Sequence, residues 1–147
     1  MEISPIQKIC DYLIARSHPS YNENCGYCAR MVRQAVLHGL SPKVIDVVES
    51  AKDYGPSYEK VGFKKVFSFP VQKKEDYKAQ IGDIAIINYE PHGHICVYVK
   101  GVQFKTGKNI KCWISDFQQI DMYGGKSRLK NPPFSIYLLT STSAGEN

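Results

Sequence analysis

His94-Ile95-Cys96-Val97-Tyr98-Val99-Lys100 alternates Ile95, Val97 and Val99 with His94, Cys96 and Tyr98. That period of two, rich in β-branched residues, predicts a strand with His94, Cys96 and Tyr98 on one face. Working outward, Phe63 to Phe69, Ile84 to Asn88, Cys112 to Phe117 and Phe134 to Thr140 also read as strands, with Gly, Pro and Lys clusters between them. Upstream the period lengthens. Ile6, Ile9, Cys10, Leu13 and Ile14 recur at helical spacing up to Arg16, with Ser4 as N-cap and Pro5 at the first helical position. Cys28, Met31, Val32, Ala35 and Val36 form a second stripe, with Arg30, Arg33 and Gln34 off it and Gly39 in the C-cap role. Pro42 to Lys52 is expected to be helical, and Pro56 to Val61 a short helical turn. Helices followed by strands predict an α+β fold, with N-terminal helices packed on a mostly antiparallel sheet of about five strands.

The chain has 147 residues, room for one core, so residues 1–140 are expected to form a single domain. Residues 141–147 are expected to be a disordered tail. Apolar and charged fractions of 43% and 22% are those of a globular protein. The net charge of +5 is scattered, without the dense basic run of a nucleic-acid arm, and suits weak attraction to an anionic polymer. No apolar stretch reaches the roughly 20 residues needed to cross a bilayer, so no membrane insertion is expected. Met1-Glu2-Ile3-Ser4-Pro5 lacks the layout of a secretory signal, so synthesis in the cytoplasm without a cleaved leader is expected.

Five cysteines (Cys10, Cys25, Cys28, Cys96, Cys112) are an odd number, so one thiol at least has no disulfide partner within the chain. Cys28 falls at the first turn of the second helix, where unpaired N–H groups and the helix dipole favour thiolate. Its stripe partners Val32, Ala35 and Val36 would anchor that helix. A nucleophilic thiol needs a base and a group to orient the base. His18 sits in a turn and His38 ends a helix, which explains both. His94 begins a strand, with His92 as the substitute. If the next strand returns in a hairpin about Lys105, Asp116 lies opposite His94 and Tyr98 faces Cys112, giving Cys28, His94 and Asp116 the roles of nucleophile, base and orienting acid. A slip of one residue would turn Asp116 away.

The segment Gly26-Tyr27-Cys28-Ala29-Arg30-Met31-Val32-Arg33-Gln34-Ala35 resembles the nucleophile helix of papain-like cell-wall hydrolases of the CHAP and NlpC groups. Gly82-Asp83-Ile84-Ala85-Ile86-Ile87 is similar to the strand before their histidine strand, and Gly93-His94-Ile95-Cys96-Val97-Tyr98 to the histidine strand itself. Trp113-Ile114-Ser115-Asp116-Phe117 resembles the strand bearing their third polar residue, so the likeness spans residues 21–120. The resemblance implies a papain-like fold and cleavage of amide bonds in peptidoglycan peptides, with no metal and no cofactor. A compact catalytic domain without a leader further resembles the amidase effectors of type VI secretion systems. That implies action in the periplasm of a target bacterium and a cognate immunity protein as inhibitor. A phage-type endolysin with the same chemistry is the nearest alternative. The backbone N–H of Cys28 is expected in the oxyanion hole, with Asn22 or Tyr21 as second donor. The Cys25–Cys28 pair departs from the group's pattern and leaves room for a regulatory disulfide.

Three other readings stay open. Cys25-Gly26-Tyr27-Cys28 fits the C-x-x-C motif of a thiol-disulfide oxidoreductase, although no buried strand precedes it. Cys25, Cys28, His92 and His94, with Cys112, are a candidate zinc set. The tyrosines Tyr12, Tyr54, Tyr58, Tyr89 and Tyr123, with Trp113, would suit a non-catalytic binding module.

Overall fold

The computed structural model describes residues 3–19, 27–40, 44–103, 105–124 and 130–140. Helix α1 (Pro5–Arg16) is capped by Ser4, whose hydroxyl accepts from Gln7 N at 3.1 Å. Helix α2 (Cys28–Leu40) crosses it at Gly39, where an added Cβ would lie 2.8 Å from Pro5 O and 2.6 Å from an Ile9 side-chain carbon. Gly39 therefore does not end the helix, as expected from its sequence; it lets the two backbones approach. A short helix α3 (Gly55–Glu59) leads into the strands.

Those strands are β1 (Phe63–Phe69), β2 (Ile84–Ile87), β3 (His94–Val102), β4 (Asn109–Ile114), β5 (Gln118–Gln119) and β6 (Phe134–Leu139). They form one sheet in the order β1-β6-β2-β3-β4-β5, and every ladder is antiparallel. The fold is α+β as expected, with six strands rather than about five. The addition is β5, two glutamines that pair with Trp113 and Ile114 and carry no apolar alternation to announce them.

Side-chain alternation divides the buried residues between two faces. Ile84, Ile86, Ile95, Val97 and Val99 join Leu13, Val32 and Val36 in one core beneath α1 and α2. Ala85, Ile87, Cys96, Trp113, Phe134 and Ile136 meet Phe67, Met122 and Tyr123 in a second cluster. With both faces of its centre covered, β2 can be apolar at all four positions.

Two further expectations fail. Residues 44–50 are irregular, and only Ala51–Asp53 makes a 3₁₀ turn; positions 41–43 lie outside the described residues. Val44, Ile45, Val47 and Val48 are β-branched and weak helix formers, and no apolar stripe compensates, since Val44 and Val47 are 79% and 68% exposed. The hairpin register is also shifted by one: Tyr98 pairs with Trp113, and Val99 with Cys112. The turn is closed by Gln103 N donating to Lys108 O and Gly107 N to Gln103 O, which moves its centre past Lys105. No described helix is long and apolar enough to cross a membrane. The expected tail, 141–147, lies outside the described residues.

Candidate active site

Cys28 is the first residue of α2 and is half-buried, its helix fixed beneath it by fully buried Val32, Ala35 and Val36. The helix start is tied to the far end of β4. Tyr27 N donates to Asp116 Oδ2 at 2.8 Å, which satisfies one of the N–H groups a helix leaves unpaired. The chain leaving α1 is stitched to the same place: His18 N donates to Asp116 O and Gln118 N donates to His18 O, both at 2.9 Å. His18 thus has a structural place, but in a β-bridge to Phe117 rather than in the expected turn.

Asp116 reaches the helix although the register slips. Regular pairing of β4 stops at Ile114, and Ser115-Asp116-Phe117 is the tight connection to β5. Strand alternation no longer governs which way Asp116 points.

His94 opens β3 and is 2% exposed. Gly93 before it has φ +69, and a Cβ there would lie 2.4 Å from Ile87 O, so only glycine can make this entry. His94 Nε2 and Gln119 Oε1 are 2.8 Å apart. The amide orientation follows from its other bonds: Gln119 Nε2 donates to Asp121 O at 2.9 Å, and Ser115 Oγ donates to Oε1 at 2.7 Å. Oε1 can only accept, so Nε2 of His94 carries the proton and Nδ1 is the basic nitrogen of the neutral ring. Ser115 Oγ is also 3.2 Å from Asp116 Oδ1, which joins both polar residues into one buried group with Gln119. Phe117 covers the imidazole with its ring centre 6.2 Å away. Gln119 is the partner of His94 that sequence reasoning missed.

Cys28, His94 and Asp116 line one cleft of about 450 Å³, together with Tyr27, Arg30, Arg33 and Tyr54. The irregular segment Val47-Val48-Glu49 forms part of its wall. His92 also lines it, with its Nδ1 2.8 Å from Ser50 Oγ. His92 and His94 are thus both at the cleft, but only His94 is held by the buried Gln119–Ser115 group. Tyr21, Asn22 and Cys25, expected as oxyanion donors and disulfide partner, lie outside the described residues.

Cys10 and Cys96 are buried and Cys112 half-buried. Burial pushes the thiols of Cys10 and Cys112 up, away from thiolate. Cys112 sits on β4 opposite Val99, and it is not among the residues lining the cleft. Among the described residues no three His, Cys, Asp or Glu side chains converge in a metal-holding arrangement, so the expected zinc set is not brought together from them.

No protein-family model matches the chain, and no curated protein sequence does. Among solved structures it is similar to the type VI effector Tae3, from the native effector–immunity complex Tae3–Tai3 of Ralstonia pickettii. The TM-score is 0.65 and the identity 28%, over 92% of this chain and 98% of that one.

Proposed function

We propose that this chain is a cysteine-dependent amidase of bacterial peptidoglycan and acts as an antibacterial type VI effector, residues 1–140 being its catalytic domain. The observation that carries the chemistry is a thiol at a helix start sharing a cleft with a histidine whose tautomer is dictated by Gln119. The likeness to Tae3 supports the effector role, and favours it over a phage lysin.

Cys28 is the nucleophile and His94 the base. Nδ1 of His94 takes the thiol proton, and the sulfur attacks the carbonyl carbon of the scissile amide. The backbone N–H of Cys28 helps to hold the oxyanion that forms. Collapse of the tetrahedral adduct breaks the C–N bond, the imidazolium gives its proton to the leaving amine, and a thioester remains. Water, deprotonated by His94, attacks that thioester; the carboxylic acid leaves and the Cys28 thiol is restored. Gln119 keeps Nε2–H pointing away from the sulfur and strengthens its bond when the ring is charged. Asp116 serves the same site by holding Tyr27 at the start of α2 and by its link through Ser115 to Gln119.

The structurally similar effector is known in complex with an immunity protein, which supports a cognate inhibitor for this chain; action in the periplasm of a target cell is part of the effector reading proposed here. The test is digestion of purified peptidoglycan by wild type, Cys28→Ala and Cys25→Ser, with the fragments read by mass spectrometry. Wild type and Cys25→Ser should release the same new amine and carboxyl ends, and Cys28→Ala none. Fragments from Cys28→Ala would refute the nucleophile, and loss of activity in Cys25→Ser would show that Cys28 does not suffice as the only thiol of the reaction.

A further inference from the structure

Two arginines of α2, the exposed Arg30 and the half-buried Arg33, line the cleft and are not used by the chemistry above. Arg33 is aimed from within. Its Nη1 donates to Tyr54 Oη at 2.9 Å, and Tyr54 is 1% exposed, packed on the fully buried Tyr58 at a ring separation of 5.9 Å. A phenol set in the core thus holds one N–H of a guanidinium that has five. Neither ion pair among the described residues involves Arg33 or Arg30, although Glu49 and Asp116 line the same cleft. A permanently charged, planar donor, fixed by the core and left without a carboxylate, is suited to bind one from a ligand.

We propose that Arg33 receives a carboxylate of the substrate, so that the cleft selects stem peptides whose acidic groups are free. The inference rests on the amidase reading. Arg33 lies five residues along the helix from Cys28, about 7.5 Å at 1.5 Å per residue. An extended peptide covers that distance in roughly two residues. The carboxylate is therefore one carried beside the scissile amide, such as the α-carboxylate of a γ-linked D-glutamate or a side-chain carboxylate of diaminopimelate. Arg30, exposed at the rim with its guanidinium 6.0 Å from the Tyr27 ring, adds positive potential at the entrance and does not fix the ligand.

Two muropeptide preparations serve as probes, one with free D-glutamate and diaminopimelate carboxylates and one with the same groups amidated. The quantity read is the free-to-amidated ratio of kcat/KM for wild type, Arg33→Gln and Arg33→Lys, each checked for folding by circular dichroism. Wild type should prefer the free form. In Arg33→Gln the ratio should fall by roughly 10- to 100-fold, the usual range for one charged hydrogen bond. Arg33→Lys should recover part of it, keeping the charge without the fork. A ratio unchanged in Arg33→Gln, even with both rates lowered, would assign Arg33 to structure and overturn the inference while sparing the amidase reading. Failure of wild type to cleave either preparation would overturn both.

Discussion

Gln119→Leu removes one side chain of nearly the same size and, with it, three hydrogen bonds in a place only 5% exposed. The losses are His94 Nε2 to Oε1, Ser115 Oγ to Oε1, and Nε2 to Asp121 O. At about 1 kcal/mol net for each, stability should fall by about 3 kcal/mol. For a chain of this size that lowers the melting temperature by about 6–12 °C. Activity should fall for a separate reason. During the reaction the His94 ring becomes a cation, and its bond to Gln119 becomes charge-assisted, contributing about 1.5–3 kcal/mol, or roughly 10- to 100-fold in kcat/KM. Thermal melting by circular dichroism, paired with fragment release from peptidoglycan below the lower melting temperature, reads both. A variant that melts early but keeps wild-type kcat/KM would refute the orienting role. One that melts normally would refute the hydrogen-bond network itself.

Gly93→Ala must place a Cβ 2.4 Å from Ile87 O at a positive φ, so a loss of at least roughly 2 kcal/mol is expected in urea unfolding; an unchanged midpoint would mean that the turn before His94 relaxes freely. Asp116→Ala should cost about 1 kcal/mol by uncapping Tyr27 N, while Asp116→Asn keeps an acceptor and most of that stability; equal losses in the same assay would deny the cap. Asp83 is 2% exposed and accepts from Tyr77 Oη at 2.6 Å and Gln80 N at 2.9 Å, while its Oδ1 has no hydrogen-bond partner among the described residues. Burial raises its carboxyl above the ordinary range, so the folded state binds this proton more tightly than the unfolded one. The stability it contributes is present below about pH 4 and is lost as pH rises through the folded value. The melting temperature of Asp83→Asn minus that of wild type should therefore increase from pH 4 to pH 7, and a flat or falling difference would contradict the sign.

The helices α1 and α2 and five of the strands were legible because their apolar residues repeat at distinct periods, and both faces of the sheet demand it. Cys28 and His94 could be singled out because one falls where a helix begins and the other where a strand does. The rest depended on contacts that no period encodes. Gln119 belongs to a two-residue strand whose identity is set by Trp113 and Ile114 across the ladder. Asp116 arrives at the helix start through a sharp connection, and so reaches the cleft by a geometry other than the one the register argument expected. Gly39 carries the signature of a helix end and instead marks a crossing, since only the approach of Pro5 and Ile9 distinguishes the two. Arg33, off the apolar stripe, reads as a solvated charge until Tyr54 is found behind it.

The coupling of Cys28 to His94 is tested most directly by the rate at which iodoacetamide alkylates Cys28 at pH 7, followed by peptide mass spectrometry in wild type and His94→Ala. If the imidazole holds the thiol proton, alkylation of Cys28 should be the fastest among Cys10, Cys28 and Cys112 in wild type and should slow by about 10-fold or more in the variant. Equal rates in the two proteins, with both folded, would contradict the pairing on which the proposed chemistry stands.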